Sequence, residues 1–200
     1  MVSSMPVWKN GVSVEPRRVA FFALLLSAIS LGFAPVVQAE FKVAEMKPRV
    51  VGEAVVLNGN LELGLTPKVE EALSKGIELP IIVELRLYRK RSLLWDQRVA
   101  SWSLRRNLQY HALSGQYLVN ADNARDNFLS LAEALKHLGT LSELRLPLPT
   151  EPAADEHVMT LRVYLDIEAL PTPLRPVAYT TLSWHLNSGW TKWNVQSLAD

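Results

Sequence analysis

Two residues near the middle of the chain carry side chains that a hydrolase could use. His111 precedes Ser114 by three positions, and a distant carboxylate such as Asp96 would complete a nucleophile, a base and an orienting acid. Such a triad is defined by its geometry, which the spacing along a sequence does not supply. Tyr110 and His111 also fit a structural role at a strand end, where one polar atom holds a turn, and we favour that interpretation.

A second group of polar residues lies near position 155. Asp155, Glu156 and His157 carry oxygen and nitrogen atoms that bind metals, and His185 is a remote fourth candidate. Consecutive residues of an extended segment point in opposite directions, so at most two of them can converge on one ion. Prolines and acidic residues favour a solvated loop over residues 147–157, and we therefore predict no metal site there.

The chain lacks the short motifs that carry well-defined chemistry. It contains no Walker loop, no cysteine pair, no His-Glu-x-x-His zinc motif and no Gly-x-Ser-x-Gly nucleophile elbow. We therefore predict a protein that is not an enzyme and that holds no cofactor. The competing hypothesis is an envelope hydrolase that uses His111 and Ser114, or Asp155 and His157.

The region from Glu84 to Arg106 is strongly basic. Seven arginines and lysines face only two acidic residues there, a local net charge of +5, whereas residues 143–168 carry six acids and two bases, a net of −4. If alternate residues face outward, this region forms a surface patch that attracts an acidic partner, an acidic polymer or anionic lipid. The interpretation that we favour is that basic and acidic strands pair across a sheet. The predicted binding patch comprises Arg86, Tyr88, Lys90, Arg98, Trp102 and Arg106.

Three tryptophans, Trp184, Trp190 and Trp193, cluster near the end of the chain. If this segment is a strand, Trp184 and Trp190 share one face and Trp193 takes the other. Tryptophan usually anchors a core, so we expect one of these two sides to pack inward. The alternative is an exposed aromatic surface for a ligand or a membrane.

The elements that would position these residues are mostly strands. Apolar and polar residues alternate clearly over 55–63, 81–90 and 159–167, which is typical of half-buried strands. Residues 99–108 and 110–120 also look extended, but their alternation slips, which indicates a bulge or a bend. Residues 41–46 and 180–195 are predicted to add further strands.

Two segments have helical signals. Thr66 can cap a helix that starts at Pro67, and Gly76 suits its end. The second helix is predicted from Asn123 or Arg125 to Leu138, with an apolar stripe and Gly139 after it. The pattern predicts a mainly β protein, an antiparallel β-sandwich of immunoglobulin-like general architecture, with two short amphipathic helices in its connections.

The N-terminal residues resemble a secretory leader. Arg17 and Arg18 precede a 15-residue apolar run, Val19–Phe33, and Val37 and Ala39 supply small side chains at a cleavage site before Glu40. The run is shorter than the roughly 20 residues of a membrane-spanning helix. We predict a signal peptide over residues 1–39 and a periplasmic protein. The alternative is an uncleaved helix that anchors a structural domain in the inner membrane.

The chain that follows the predicted leader is nearly neutral and has no cysteine. Without residues 1–39 it has 18 basic and 19 acidic residues, a net charge of −1. We expect residues 40–200 to form one domain that is stabilised by its core and has no disulfide. An exported protein meets little nucleic acid, so nucleic-acid binding is not expected.

The order and spacing of several motifs over residues 41–195 resemble the domain-of-unknown-function 4390 family of exported proteobacterial proteins. That family has no known activity, so the resemblance carries over no site residue. Its genes often lie beside a membrane sensor kinase, which implies a role in envelope signalling. The matching motifs are Gly76-Ile77, Arg89-Lys90-Arg91, Trp95-Asp96, Tyr110-His111-x-Leu113-Ser114-x-Gln116-Tyr117, Phe128-x-x-Leu131-x-x-Ala134-Leu135 and Trp184 with Ser188-x-Trp190.

These observations lead to one main hypothesis. We expect a non-enzymatic exported module that binds an unidentified protein or another component of the cell envelope. Contact with the membrane is expected only through the leader, if it is not cleaved.

Overall fold

The computed structural model describes residues 40–91, 95–121, 124–149 and 157–197. The predicted leader and Asp155 lie outside these ranges. In chain order the elements are β1 (Phe41–Val51), β2 (Ala54–Leu63), α1 (Pro67–Ser74), β3 (Leu79–Arg89), β4 (Gln97–His111), β5 (Gln116–Ala121), β6 (Ala124–Phe128), α2 (Leu131–Gly139), β7 (Thr140–Pro147), β8 (His157–Leu165), α3 (Arg175–Thr180), β9 (Thr191–Asn194) and β10 (Gln196–Ser197), with 3₁₀ turns at Ile167–Ala169 and Leu182–Trp184.

The strands in the described ranges form two sheets. The first has four strands in the order β10–β1–β2–β7, and the second has six in the order β6–β5–β4–β3–β8–β9. All neighbours are antiparallel except β1 and β10. The predicted fold class, mainly β with antiparallel sheets and short helices, is therefore confirmed.

The core forms from the apolar side of each alternating strand. Val83, Leu85 and Leu87 of β3 are fully buried, as are Leu161 and Val163 of β8. Alternate residues on the same strands are polar and face away from the core. The central strand β3, which is paired on both sides, thereby fixes which side chains reach the outer surface of the six-stranded sheet.

Helix α1 follows its prediction closely. The Thr66 side chain accepts a hydrogen bond from the backbone N–H of Val69, and Pro67 occupies the first turn. Val69 and Leu73 are buried against the core.

The second helix starts later than predicted. Residues 124–128 form strand β6, which pairs with β5, and α2 begins only after Ser130. The Ser130 hydroxyl accepts from the N–H of Glu133, so the Ser-x-x-Glu pattern of a helix start lies at 130–133. This local signal was present in the sequence and outweighs the apolar stripe that extended the predicted helix backwards.

Gly139 ends α2 in a tight contact with β2. A Cβ atom at this position would meet the carbonyl oxygen of Leu61 far inside van der Waals distance. The glycine therefore lets the helix lie directly on the four-stranded sheet.

The C-terminal part of the chain is less extended than predicted. The strand expected over 180–195 is confined to β9, and α3 and a 3₁₀ turn precede it. Trp184 lies in that turn and is buried, whereas Trp190 lies in the loop before β9 and is partly exposed. The prediction that these two tryptophans share a strand face is wrong because neither lies in a strand.

The sandwich has two ends, which we name by residues at each. At the Glu40 end, Phe41 pairs with Leu63, and the β4–β5 hairpin turn projects from the second sheet. At the Trp95 end lie the β1–β2 turn and the β3–β4 connection. None of the helices among the described residues is long and apolar enough to cross a membrane.

Candidate functional site: an arginine–tryptophan face

The outer surface of the six-stranded sheet gathers arginine and aromatic side chains. Glu84, Arg86 and Tyr88 alternate with buried residues along β3, and all three are half-buried. On β8, Arg162 and Tyr164 face the same side. The register places Glu84 directly opposite Arg162, so the two strands bring the three charged groups together.

One carboxylate links the two guanidinium groups. Glu84 Oε1 accepts from Arg86 Nη2 at 2.6 Å and from Arg86 Nε at 3.1 Å. Glu84 Oε2 accepts from Arg162 Nε at 2.8 Å and lies 2.6 Å from Arg162 Nη2. Both arginines are thus held by two contacts each, which fixes the planes of their guanidinium groups.

Trp190 lies against this pair. The Cζ atoms of Arg86 and Arg162 are 4.2 Å and 4.8 Å from the centre of its ring, and Arg162 also lies 4.7 Å from the ring centre of Tyr164. These distances allow cation–π attraction. The tryptophan remains 39% exposed. We call Glu84, Arg86, Arg162, Tyr164 and Trp190 the arginine–tryptophan face.

Hydrogen bonds in the loop before Trp190 hold this residue against Arg86 and Arg162. The N–H of Ser188 donates to the carbonyl oxygen of Val163, and the Ser188 hydroxyl accepts from the N–H of Val163. Gly189 has a φ of 68°, a conformation that suits glycine, and its N–H donates to the Asn187 side chain. The loop is therefore fastened to β8, and the chain turns so that Trp190 lies over the sheet.

The electrostatics of the cluster favour the charged forms. Burial would raise the pKa of Glu84, but hydrogen bonds from Arg86 and Arg162 outweigh it, so this pKa lies below its ordinary value. The hydrogen bonds with Glu84 and Tyr88 raise the pKa of Arg86. The three groups therefore carry a net charge of +1 at neutral pH.

Two exposed cations extend the positive charge. Lys192 of β9 lies opposite Thr160, which in turn lies opposite Arg86, so all three share one row across the sheet. Arg98 of β4 lies opposite Tyr88 in the next row. The surface therefore combines ordered guanidinium groups, exposed cations at its margin and a partly exposed indole. This combination suits an anionic or acidic ligand.

The structure divides the predicted binding patch between two sides of the sheet. Arg86, Tyr88 and Arg98 share the outer surface, and Lys90 is exposed just beyond the end of β3. Trp102 and Arg106 lie on the inner side, where they pair with Leu85 and Ile81. Their inclusion in a surface patch is wrong. The register shifts near Val99, and this extra residue reverses the side to which later residues of β4 point.

Arg106 has a structural position instead. It is only 1% exposed, and its Nη1 donates to the carbonyl oxygens of Leu138 at 2.6 Å and Thr140 at 3.0 Å. These carbonyls lie at the C-terminal end of α2, where a cation is favourable. Trp102 donates its indole N–H to the carbonyl oxygen of Pro147 and ties the two sheets together.

The residues of the competing hydrolase hypothesis, His111 and Ser114, do not form a triad with Asp96. His111 Nδ1 and Ser114 Oγ lie 3.0 Å apart in the exposed β4–β5 turn. Asp96 precedes β4 and His111 ends it, so the 15-residue strand separates them by about 45 Å. The contact between His111 and Ser114 matches the structural role in which a side chain holds a turn.

His157 and His185, which we considered as metal ligands without predicting a site, are also far apart. His157 starts β8 and is buried, whereas His185 is exposed beside Leu186, which bonds to the other end of β8. The strand places them about 25 Å apart. Within the described ranges, no group of three histidine or acidic residues could hold a metal ion.

The predicted patch contains Arg86 but not the other four residues of the arginine–tryptophan face. Arg162 and Tyr164 are visible as the polar side of an alternating strand, but only the pairing of β8 with β3 brings them to Arg86. Trp190 was assigned to a strand face by its spacing from Trp184, but it lies in a loop, so its place beside Arg86 could not be predicted.

The comparisons with known proteins identify a family. No curated protein and no solved structure matches the chain. One family does match, over residues 38–194, which nearly coincides with the range predicted from the motifs. The chain therefore belongs to the family described as Domain of unknown function (DUF4390).

Proposed function

We propose that this protein is a non-enzymatic binding module of the cell envelope, and that it binds an acidic protein surface through the arginine–tryptophan face. The observation that carries the proposal is the pair of guanidinium groups held by Glu84 beneath a partly exposed Trp190. Arginine and tryptophan are the side chains that contribute most to protein interfaces.

Preorganisation supports this proposal over a purely structural role for the cluster. Glu84 fixes the orientation of Arg86 and Arg162, whose side chains are 29% and 30% exposed, so a partner that binds them causes little loss of side-chain entropy. Arg98 and Lys192 add two exposed cations, which raise the rate of encounter with an acidic surface.

The cellular location in this proposal comes from the leader. Arg17, Arg18 and the run Val19–Phe33 predict export, with cleavage after Ala39. Mass spectrometry of the mature N-terminus tests this prediction. A chain that begins at Glu40 supports a soluble periplasmic module, whereas an intact N-terminus supports the inner-membrane anchor.

A pull-down from envelope extract tests the binding proposal. The test variants are Trp190→Ala and the double variant Arg98→Glu with Lys192→Glu. The matched control reverses two exposed lysines of β1, Lys42→Glu with Lys47→Glu, which changes the net charge equally on the other sheet. We expect the test variants to lose the partners that wild type and control retain.

The outcome that contradicts the proposal is equally clear. If wild type, test variants and control retain the same proteins, the arginine–tryptophan face does not bind them. If all charge-reversed proteins lose them equally, the net charge is responsible and not this face.

A narrower form of the proposal names the partner class. The resemblance implies an association with a membrane sensor kinase, so the module would modulate the output of such a kinase. Deletion of the gene should then change that output, and complementation with the Trp190→Ala variant should fail to restore it. Unchanged output in the deletion strain would remove this narrower form only.

A further inference from the structure

Large apolar side chains are strongly exposed at a few loop positions. Among the described residues, four are more than three-quarters exposed: Leu113 at 96%, Trp95 at 88%, Leu182 at 87% and Leu129 at 78%. Single exposed apolar residues are common on proteins. The distribution of these four is informative, because the three leucines lie at one end of the sandwich and Trp95 lies at the other.

The three leucines belong to separate connections at the Glu40 end. Leu113 is in the β4–β5 turn, and Leu129 follows Phe128, which pairs with Tyr117 beside that turn. Leu182 opens the 3₁₀ turn in which the carbonyl oxygen of Ser183 accepts from Thr66, next to the start of α1. The three loops that carry these leucines therefore lie at the same end of the sandwich.

The segments that carry these leucines have no formal charge. Residues 112–121, 127–132 and 176–191 contain no aspartate, glutamate, lysine or arginine. The half-exposed Tyr179 and the Tyr110–Tyr117 ring pair, 5.0 Å apart, lie in or beside them. Leucine tips with tyrosine behind them match the composition of segments that enter the interface of a bilayer.

The apolar run of the leader, in a chain that keeps it, indicates the bilayer as the occupant. The carbonyl oxygen of Glu40 accepts from the N–H of Gly64 at this same end. The apolar run ends at Phe33, and the six residues between Phe33 and Glu40 can span at most about 20 Å. A chain whose apolar run is in the membrane would therefore hold this end of the sandwich within reach of the lipid surface.

We propose that, in a chain that keeps its leader, the Glu40 end is a membrane-docking surface, on which Leu113, Leu129 and Leu182 insert into the lipid interface. The interaction is apolar, so it does not require anionic lipid. It is independent of the arginine–tryptophan face, which lies on the outer side of the six-stranded sheet and stays available to a partner.

The absence of cysteine from the chain makes a specific test practical. The full-length Ala112→Cys variant, labelled with an environment-sensitive fluorophore, is incorporated into phosphatidylcholine vesicles. The matched control is the same label in Asp96→Cys, which lies beside the exposed Trp95 at the opposite end. We expect the emission at position 112 to shift to the blue and to be quenched by lipid-borne quenchers, with no change at position 96.

Removal of the leucines gives the size of the effect. Leu113→Ser or Leu129→Ser, in the labelled Ala112→Cys protein, should each shift the ratio of docked to undocked molecules about tenfold toward the undocked form. Both leucines are exposed, so circular dichroism should be unchanged. Arg98→Glu with Lys192→Glu should leave the signal at position 112 intact, which separates this proposal from the binding function.

Docking would be overturned if the protein did not associate with the vesicles, or if the label at position 112 were as exposed to water as the label at position 96. It would also be overturned if the signal required phosphatidylglycerol and disappeared at high salt. A blue shift without vesicles, together with sedimentation as a dimer that the leucine variants abolish, would assign the surface to a second copy of the chain instead.

Discussion

The outer surfaces of the two sheets carry similar charges in different surroundings. On the four-stranded sheet, Glu143 accepts from Arg49 at 3.3 Å and from Asn58 at 2.6 Å, and its side chain is 68% exposed. On the six-stranded sheet, Glu84 bridges two arginines and is only 18% exposed. The two clusters also differ in aromatic residues, because Trp190 and Tyr164 lie against the arginines of the Glu84 cluster.

This comparison distinguishes the exposed charges around Glu143 from the charges around Glu84, whose orientations are fixed by hydrogen bonds. A solvent-exposed ion pair contributes between zero and about 1 kcal/mol, because water screens it and its side chains stay mobile. Removal of a partly desolvated carboxylate that lies between two oriented arginines lowers the free energy of unfolding by more than this. Removing each carboxylate in turn therefore tests whether the two surfaces differ as described.

The largest effect is expected for Glu84→Gln. This change leaves Arg86 and Arg162 as like charges in a half-buried site and removes their charge-assisted hydrogen bonds. The free energy of unfolding should fall by about 2–3 kcal/mol. Urea denaturation measures it, with Glu143→Gln as the matched control, which should cost less than about 1 kcal/mol. Equal losses for both variants would remove the distinction between the surfaces.

Acidification of the wild-type protein should remove the contribution of Glu84 to stability and change that of Glu143 little. The hydrogen bonds from the two arginines hold the pKa of Glu84 below its ordinary value in the folded state. A lowered pKa gives stability that is fully present above the unfolded-state pKa of about 4.3 and is lost as the pH falls through the folded-state value. The stability of wild type should therefore approach that of Glu84→Gln below about pH 4.

Unfolding curves at several pH values test this dependence. The gap between wild type and Glu84→Gln should stay constant from pH 7 to about pH 5.5 and then shrink. The gap between wild type and Glu143→Gln serves as the control and should vary little. A gap that widens toward low pH would show that the sign of the Glu84 contribution is wrong.

Removal of the Trp190 ring should lower stability by less than Glu84→Gln does. Trp190→Ala removes the ring that two guanidinium groups face, and we expect a loss of about 1 kcal/mol. Trp190→Leu keeps apolar bulk without the ring and isolates the cation–π part. If the Trp190→Leu variant is as stable as wild type in urea, Trp190 stabilises the arginine–tryptophan face only through the apolar area that it buries.

The alternating strands predicted the fold and part of this site. The outward positions of Arg86, Tyr88 and Arg98 follow from period-two patterning, and Thr66-Pro67 predicted α1. Arg98 and Arg106 are eight residues apart, an even number, so an unbroken strand would place them on one side. The bulge at Val99 reverses this relation, and a single extra residue gives no sequence signal of comparable strength.

Strand order is the other property that the sequence does not contain. β3 and β8 are separated by more than sixty residues, yet their pairing creates the contact between Glu84 and Arg162. The position of Trp190 depends further on the loop that Ser188 and Gly189 fasten to β8. Such contacts follow from the tertiary arrangement, so local patterns identify the side chains but not the site.

The smallest effect is expected at Glu143, where the backbone matters more than the charge. Glu143 has a φ of 48°, a left-handed conformation that costs a residue with a Cβ roughly 1 kcal/mol. Glu143→Gly relieves that cost and loses only exposed contacts, so its stability should stay within about 0.5 kcal/mol of wild type.

Comparison with alanine isolates this backbone effect. Glu143→Ala loses the same contacts with Arg49 and Asn58 but keeps the strain, so it should be less stable than Glu143→Gly by about 1 kcal/mol. Glycine normally destabilises a strand relative to alanine, and the reversed order is therefore diagnostic. If alanine is the more stable of the two in urea, the exposed contacts outweigh the backbone at Glu143, and the polar surface of the four-stranded sheet is more organised than its exposure indicates.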